Sequence, residues 1–528
     1  MSTFHGLEVA KRGLFAQQSA LHTTGHNIAN ANTEGYTRQR VNFEQTAPFP
    51  PASRNRPNIP GQIGSGVQPG SIERVREQFL DLQYRGESNK TAYWETLAGS
   101  IGKMEEVMNE PSEQGLAKTM DRFWESLQDL ATNPEDAGAR SVVRQRGIAV
   151  AETFNHLSGS LKGIQKDLEN EMNVTIKDIN STLKQIDQLN RQIGNVEPHG
   201  YVPNDLYDER DRLIDDLSLM IDIEVKYESG QGNPNAAAMG QATVFLVNGG
   251  DRETIVKGGS NEESLSTPQF EVTFEEVGGR RVVAGISLVP SANEKEGADF
   301  LSQGRLLALK EAHGYQDSAG ELKGMLHGMS EDLDKMAFAF ANRFNEVHED
   351  GATLKDIEEK ANGADKAFRS QSFFTFGTKN STQDEDESIG AAGRLNVHQA
   401  IKDDTDNIAA ASRLQPFGGD GSNALAMAEV KDEVLPELGK AVSLKSFYEG
   451  VIGKMGVEAQ EYKRLTDNST ILKESVEQRR QSVSAVFLDE EMTNMIKYQH
   501  AYNASARNMT AVDEILDRII NQMGLVGR

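Results

Sequence analysis

The sequence predicts a mainly α-helical protein with a β-rich domain: a coiled coil of the two terminal helices, a long helical rod, the inserted β domain and a variable insertion. Three observations predict it. Apolar or small residues recur at alternating three- and four-residue steps near both ends of the chain. A longer stripe of the same kind runs from Val150 to Ile186. Beyond it, over Ile221–Pro290, the hydrophobic period shortens to that of strands.

Residues 1–40 carry the N-terminal stripe: Leu7, Ala10, Leu14, Gln17, Leu21, Thr24 and Ile28. Gly13, Gly25, Thr23 and Thr24 weaken this helix, each interior glycine by about 1 kcal/mol relative to alanine. It should therefore be ordered only against a partner, in the same chain or another. Asn27–Arg38 then reads as a helix end and a tight turn, with Gly35 able to take a positive φ and Tyr36 placed to anchor an emerging strand. Thr46–Pro69, rich in Pro, Asn and Gly, reads as extended linker. Gly64, Gly66 and Gly70 do not make a phosphate loop, because no strand-turn-helix unit with a Gly-Lys-Ser/Thr ending follows.

Residues 41–218 read as the first part of the rod, helical from about Val75 to Asn195. The stripe Val150, Phe154, Leu157, Leu161, Ile164, Leu168, Met172, Ile176, Ile179, Leu183, Ile186 is heptad-like, with an extra four-residue step near Met172. Residues 219–300 read as the β-rich domain, with strands at 223–227, 243–247, 254–256, 270–274 and 281–289 between Gly and Asn turns. Helical patterning returns over 301–350, with Leu333, Met336, Phe340, Phe344 and Val347 on one face. Residues 351–416 are irregular and polar and read as a variable insertion; neither Asp384–Glu387 nor Asp403, Asp404 and Asp406 has the spacing of a calcium loop. The third part of the rod occupies 417–488.

The C-terminal helix fills 489–528, its seam being Met495, Tyr498, Tyr502, Ser505, Met509, Val512, Leu516, Ile519 and Met523. Four heptads of 3.5-residue average spacing argue for a coiled coil, and Gly524 and Gly527 end it. Asp489, Glu490 and Glu491 complement the N-terminal dipole of that helix.

Composition excludes several classes of function. The chain of 528 residues has 80 acidic against 55 basic residues, a formal charge of −25, which opposes nucleic acid and anionic membrane surfaces. No apolar run is long enough to cross a bilayer, so no membrane insertion is expected, and Met1–Ala31 lacks the apolar core of a cleavable signal peptide. With no cysteine, disulfides, thiolate metal sites and cysteine nucleophiles are ruled out. Such a composition suits passage through a narrow exporter, and a cytosolic habit accounts for it as well. No histidine falls in a metal-binding pair, no Gly-x-Ser-x-Gly elbow occurs, and His327 and His348 read as surface or core-edge residues. No enzyme, cofactor or metal is expected.

The Asn-rich string, through Asn27, Asn30, Asn32, Thr33, Gly35 and Tyr36, resembles the N-terminal motif shared by rod, hook and hook-associated proteins of the bacterial flagellum. Gly64–Val67 and Ile72–Leu80 are similar to the next block of that motif. At the other end Ser482–Val486, Leu488–Glu491, Gln499–Tyr502, Ala504–Arg507 and Asp513–Leu516 resemble the C-terminal signature of the hook-associated protein 1 family of hook–filament junction proteins. Within it Asp489, Glu490, Glu491, Gln499, Ala504 and Arg507 carry the match, while Ala485 stands where the family has Gly and Phe487 where it often has a polar residue.

The resemblance implies a structural subunit, exported by the flagellar type III apparatus without a cleaved peptide and assembled between hook and filament. Its implied partners are copies of itself, hook subunits, a second junction protein on the filament side and a cytoplasmic export chaperone. The assembly interface would be Leu7, Leu14, Leu21 and Ile28 with Met495, Tyr498, Tyr502, Met509, Val512, Leu516, Ile519 and Met523. Two alternatives stand beside it: another axial subunit of hook or distal rod, against which the long helices argue, and an exported hydrolase or adhesin with chemistry in 351–417.

Overall fold

A computed structural model describes residues 4–49, 61–108, 110, 112–228, 232–259, 267–289, 300–361, 370–377, 388–414, 416–438 and 442–522. Met523, Gly524, Gly527 and the acidic run Asp384–Glu387 lie outside the described residues. The chain opens with helix α1 (Phe4–Ala29) and strands β1 (Gln39–Gln45) and β2 (Val67–Arg74). Helices α2 (Gln78–Met108), α3 (Leu116–Thr132), α4 (Ala137–Val196) and α5 (Asn204–Met220) follow. Next come β3 (Ile223–Glu228), β4 (Gln241–Asn248), β5 (Asp251–Val256), β6 (Gln269–Val277) and β7 (Arg280–Val289). Then α6 (Arg305–His313), β8 (Tyr315–Gln316) and β9 (Leu322–Lys323) lead to α7 (Met325–Glu349). Short elements follow: β10 (Gly351–Ala352), α8 (Leu354–Ala361), β11 (Phe374–Phe376), β12 (Leu395–Val397), α9 (Gln399–Asp403), β13 (Ala411–Ser412) and α10 (Ser422–Glu429). The chain closes with α11 (Leu444–Ser484) and α12 (Leu488–Asp517).

The helical stretch expected over 75–195 is broken twice, and the breaks have local causes. Gly115 adopts an extended conformation before α3. Pro134 disfavours helix at the residue before it, and Asn133 leaves the helical region with φ −134° and ψ 71°.

Two compact units emerge, one of Met1–Thr91, Asp178–Pro268 and Ser469–Arg528, the other of Ala92–Lys177 and Gln269–Asn468. The strands expected to form one β-rich domain fall into two sheets. β3, β4 and β5 make an antiparallel three-stranded sheet in the first unit, and β6–β9 make a four-stranded sheet in the second. Strand-like periodicity shows that segments pair, not which partners they take.

The second unit is cored by aromatic rings. Phe123 and Trp124 of α3, Phe154 of α4, and Phe340 and Phe344 of α7 are buried together with Phe373 and Phe374. Phe373 lies against Gly147 of α4, where a Cβ would come within 2.7 Å of its ring, so α4 needs a residue without a side chain there. The stretch 351–416, expected to be an irregular, polar and variable insertion, also supplies core: Phe373, Phe374, Leu395, Val397, Ile401 and Ile408 are all buried. His327 and His348, expected at the surface or core edge, are both buried. From α4 this unit takes the stripe from Val150 to Ile176, and the first unit takes Ile179, Leu183 and Ile186, every one of them buried.

In the first unit β1 and β2 form an antiparallel ribbon whose register shifts between Val41 and Phe43. Of the linker expected at 46–69, Val67–Pro69 belong to β2 and the stretch before them connects the two strands of a hairpin, with Phe49 and Ile63 paired across it.

Candidate functional site

The two ends of the chain meet in the first unit, where α1 and α12 pack along one another. Glycines fix the register. A Cβ on Gly6 would touch Val512 at 3.5 Å, and one on Gly13 would meet the Ser505 hydroxyl at 3.1 Å. Seven residues forward on α1 are seven residues back on α12, so the pair is antiparallel. On α12 the residues at heptad steps face inward: Met495, Tyr498, Tyr502, Ser505, Met509 and Val512 are half-buried and Leu516 is buried, and Ile519, in the π-helical turn Arg518–Gln522 that follows, is half-buried. Met492, Ile496, Ile515 and Ile520 lie between them and remain exposed.

On α1 the contact differs from expectation. Its buried residues are Ala10, Ala16, Ala20, Thr23, Thr24 and Asn27, while Leu7, Leu14, Leu21 and Ile28 are only half-buried. Small residues let the two backbones approach, and the larger side chains one position on sit beside the line of closest contact. Reading for large apolar residues selects the neighbours of such a seam. The opposite flank of α1 is tied to the hairpin, through Arg12 donating to the Ser65 carbonyl at 3.1 Å.

The Asn-rich motif works as a hub of hydrogen bonds. Asn27 imitates a strand residue: its amide donates to the Gln39 carbonyl at 2.8 Å and its oxygen accepts the Gln39 N–H at 3.0 Å. The Tyr36 hydroxyl donates to the same oxygen at 2.8 Å and lies 3.0 Å from His26 Nδ1. Burial, reinforced by Asp208, Asp205 and Glu491, raises the Tyr36 pKa well above the ordinary phenol value. The Asn30 amide donates to the His26 carbonyl, and Thr33 donates to Asn30 Oδ1 at 3.2 Å. Gly35 has φ +78°, and a Cβ there would press within 3.3 Å of Arg212. Asn32 is exposed.

Arg38 joins the hub to α12. Its Nε donates to Glu491 at 2.7 Å, its two terminal nitrogens grip Glu490 at 2.7 and 3.1 Å, and its backbone N–H donates to the Ser484 carbonyl. Burial works against the charge on Arg38, but these two carboxylates outweigh it and hold the guanidinium above its ordinary value. Glu490 and Glu491 thus do more than complement the helix dipole: they clasp the segment after α1 to the start of α12. Asp489, Gln499, Ala504 and Arg507 lie on exposed positions of α12 and are not brought into the hub.

Beneath the hairpin lies a charged lattice that sequence reading did not single out. Arg74 pairs with Asp208 at 2.7 Å and Asp211 at 2.9 Å. Arg76 pairs with Asp81 at 2.6 Å, and Arg85 and Arg480 both reach Asp215 at 2.6 Å. The Thr37 N–H donates to Asp208, which fastens the motif to α5. Burial alone would raise the Asp211 carboxyl, yet Arg76, Arg74, Arg210 and Arg85 hold it far below the carboxylate range. A signal was present: Asp208, Asp211 and Asp215 share one face of a helix. Among the described residues no group of three or more His, Asp or Glu is placed to hold a metal ion. These contacts hold the two chain ends together.

Three family descriptions match the chain, two of them on this site. "Flagella basal body rod protein" matches residues 7–37 and "Flagellar basal body rod FlgEFG protein C-terminal" matches 477–523. "Flagellar hook-associated protein FlgK helical domain" matches 101–364. The flagellar hook-associated protein 1 of Bacillus subtilis is 44% identical over 529 residues, covering 100% of both chains. The chain belongs to the flagellar hook-associated protein 1 family. The Salmonella typhimurium member is 25% identical, covering 97% of this chain and 98% of its own. A solved structure, the flagellar hook junction protein FlgK from Burkholderia pseudomallei, covers 77% of this chain and 100% of its own with TM-score 0.55 at 15% identity. That likeness shows the fold, mainly helical with smaller sheets. The family is structural, so this chain is a structural protein of the flagellum and not an enzyme.

Proposed function

We propose that this chain is a structural subunit of the junction between hook and filament, and that its paired ends are the surface through which it assembles. Membership of the family supports the junction, and one observation supports the surface. With α1 and α12 already paired, Phe4, Phe15, Met492, Ile496, Ile515 and Ile520 still point exposed apolar side chains outward. Exposed apolar side chains cost free energy in water, and covering them against neighbouring copies removes that cost. Head-to-tail contacts between such faces propagate a tube or helix instead of closing a dimer.

Copies of the chain pack through these faces, hook subunits lie on one side and a second junction protein on the filament side. The chain is exported by the flagellar type III apparatus without a cleaved signal peptide, and a cytoplasmic chaperone covers the C-terminal helix beforehand. A strain lacking this chain should build hooks and release its filament protein into the medium. Normal filaments on such a strain would overturn the proposal.

A further inference from the structure

The second unit contains an open cavity of about 410 Å³ for which assembly through the terminal helices has no use. Four aromatic side chains line it: Tyr93 and Trp94 of α2, Tyr315 of β8 and Tyr462 of α11. Trp94 stacks on Tyr462 with centroids 6.0 Å apart at 27°, and the Tyr93 ring sets its edge to Trp94 at 4.7 Å. Deeper in the lining Leu97, Ile101 and Met104 are buried and wholly apolar. Three carboxylates complete it, Glu311, Asp332 and Glu458, against a single cation, Lys454.

Glu311 is the best placed of the three. The Tyr93 hydroxyl donates to it at 2.6 Å, which fixes one carboxylate oxygen and leaves the other able to accept. Its charge is also felt at Tyr462 and Tyr315, so it lies amid three of the four aromatic residues. Asp332 has Lys335 and Lys454 beside it, and Lys454 comes within 3.9 Å of Glu458.

The chemistry of the walls decides the ligand class. An anion would meet three carboxylates. A neutral apolar ligand would desolvate Glu311 with nothing in return. A bare metal ion would lack converging ligands among the described residues. An ammonium on an alkyl stem meets every requirement: its charge faces aromatic rings and a fixed carboxylate, and its methylenes cover the apolar floor. We propose that this cavity binds an alkylammonium group.

The chain has two tryptophans, and the other, Trp124, is buried in the aromatic core. A full-length Trp124→Phe protein therefore reports on the cavity through Trp94 alone. Titration with 1,5-diaminopentane should give a saturable change in Trp94 emission, and 1-pentanol at equal concentration should give none. Glu311→Gln should weaken the diamine at least about tenfold, since one charge-assisted contact is lost. Should that variant fail to fold, Glu458→Gln should weaken it about threefold. Tyr93→Phe, which frees the bonded oxygen of Glu311, should bind at least as well as its parent. A second titration, with N-acetyl-lysine methylamide, separates two sources of the same group. Binding comparable to the diamine points to a lysine of a neighbouring subunit, and binding of the diamine alone points to a soluble polyamine. Absence of a saturable change with both amines, an equal response to pentanol, or indifference of the diamine to the carboxylate variants would overturn the proposal.

Discussion

Replacing His348 by Gln tests how a buried imidazole ties residues 370–412 to the core. The Nδ1 of His348 lies 2.8 Å from the Gln371 carbonyl oxygen, so it carries the hydrogen and donates, and Nε2 accepts the Ala409 N–H at 3.0 Å. Protonating Nε2 would destroy the second bond inside the core. Burial, helped by the charges of Arg140 and His398, pushes the imidazole from 6.5 down to about 4, although the Gln371 bond opposes the shift. The folded state thus binds this proton more weakly than the unfolded chain does. The stability His348 contributes is complete above about pH 6.5 and is lost as pH falls toward 4. At 1.36 kcal/mol per pH unit the full difference is about 3 kcal/mol, most of which is lost by pH 4.5. Urea unfolding from pH 7.5 to 4.5, followed by tryptophan emission, measures it, because Trp94 and Trp124 both lie in this unit. Gln can donate to Gln371 and accept from Ala409 without titrating. The wild-type protein should therefore lose about 2–3 kcal/mol more than His348→Gln over this range. Equal pH dependence of the two proteins would refute the reasoning.

Leu516→Asp places a carboxylate at a buried position of α12 and should abolish filament formation while the second unit keeps its thermal transition; complementation at wild-type frequency would show the seam is not an assembly surface. Arg38→Ala leaves Glu491 buried without its partner, a loss of about 3–5 kcal/mol locally, whereas the half-exposed Glu490 contributes under about 1 kcal/mol. The assembled Arg38→Ala protein should show faster amide exchange in the first turns of α12, and unchanged exchange would remove the clasp from the account. Deleting Asp489–Arg528 should abolish co-purification with the export chaperone, and undiminished binding would move the chaperone site elsewhere in the chain.

What could be read in the sequence follows from how local each interaction is. The seam of α12 and the long stripe of α4 were legible, because an unbroken 3.5- to 3.6-residue period fixes which side chains share a helix face. On α1 the stripe was legible in part: Ala10 and Thr24 are buried, while Leu7, Leu14, Leu21 and Ile28 flank the closest contact. Large apolar residues such as Leu14 dominate a hydrophobic reading, whereas Gly13 lets α12 come close. Asn27 could be marked as part of a motif, but its bonds to Gln39 and Tyr36 are made across a turn and leave no periodic trace. The ion pairs of Arg74 with Asp208 and Asp211 of α5 join residues more than a hundred positions apart, which spacing does not reveal. Phe373 and Phe374 were hidden by the polar composition around them. Two adjacent phenylalanines in such a stretch are the signal that it returns to a core.

The central claim, that the paired ends are completed only by neighbouring copies, is tested most directly by limited trypsin digestion of free and assembled protein. Within one chain the seam residues of α12 other than Leu516 stay only half-buried, which leaves the pair little to set against a backbone ordering entropy on the order of 1–2 kcal/mol per residue. In the free chain trypsin should cut quickly at Lys11, Arg12, Lys497, Arg507 and Arg518, leaving a resistant fragment of roughly residues 40–490. In assembled junctions the same bonds should be protected. Ends that resist cleavage as well in the free chain as in the assembly would contradict the claim, and would mean that α1 and α12 form a stable pair without neighbours.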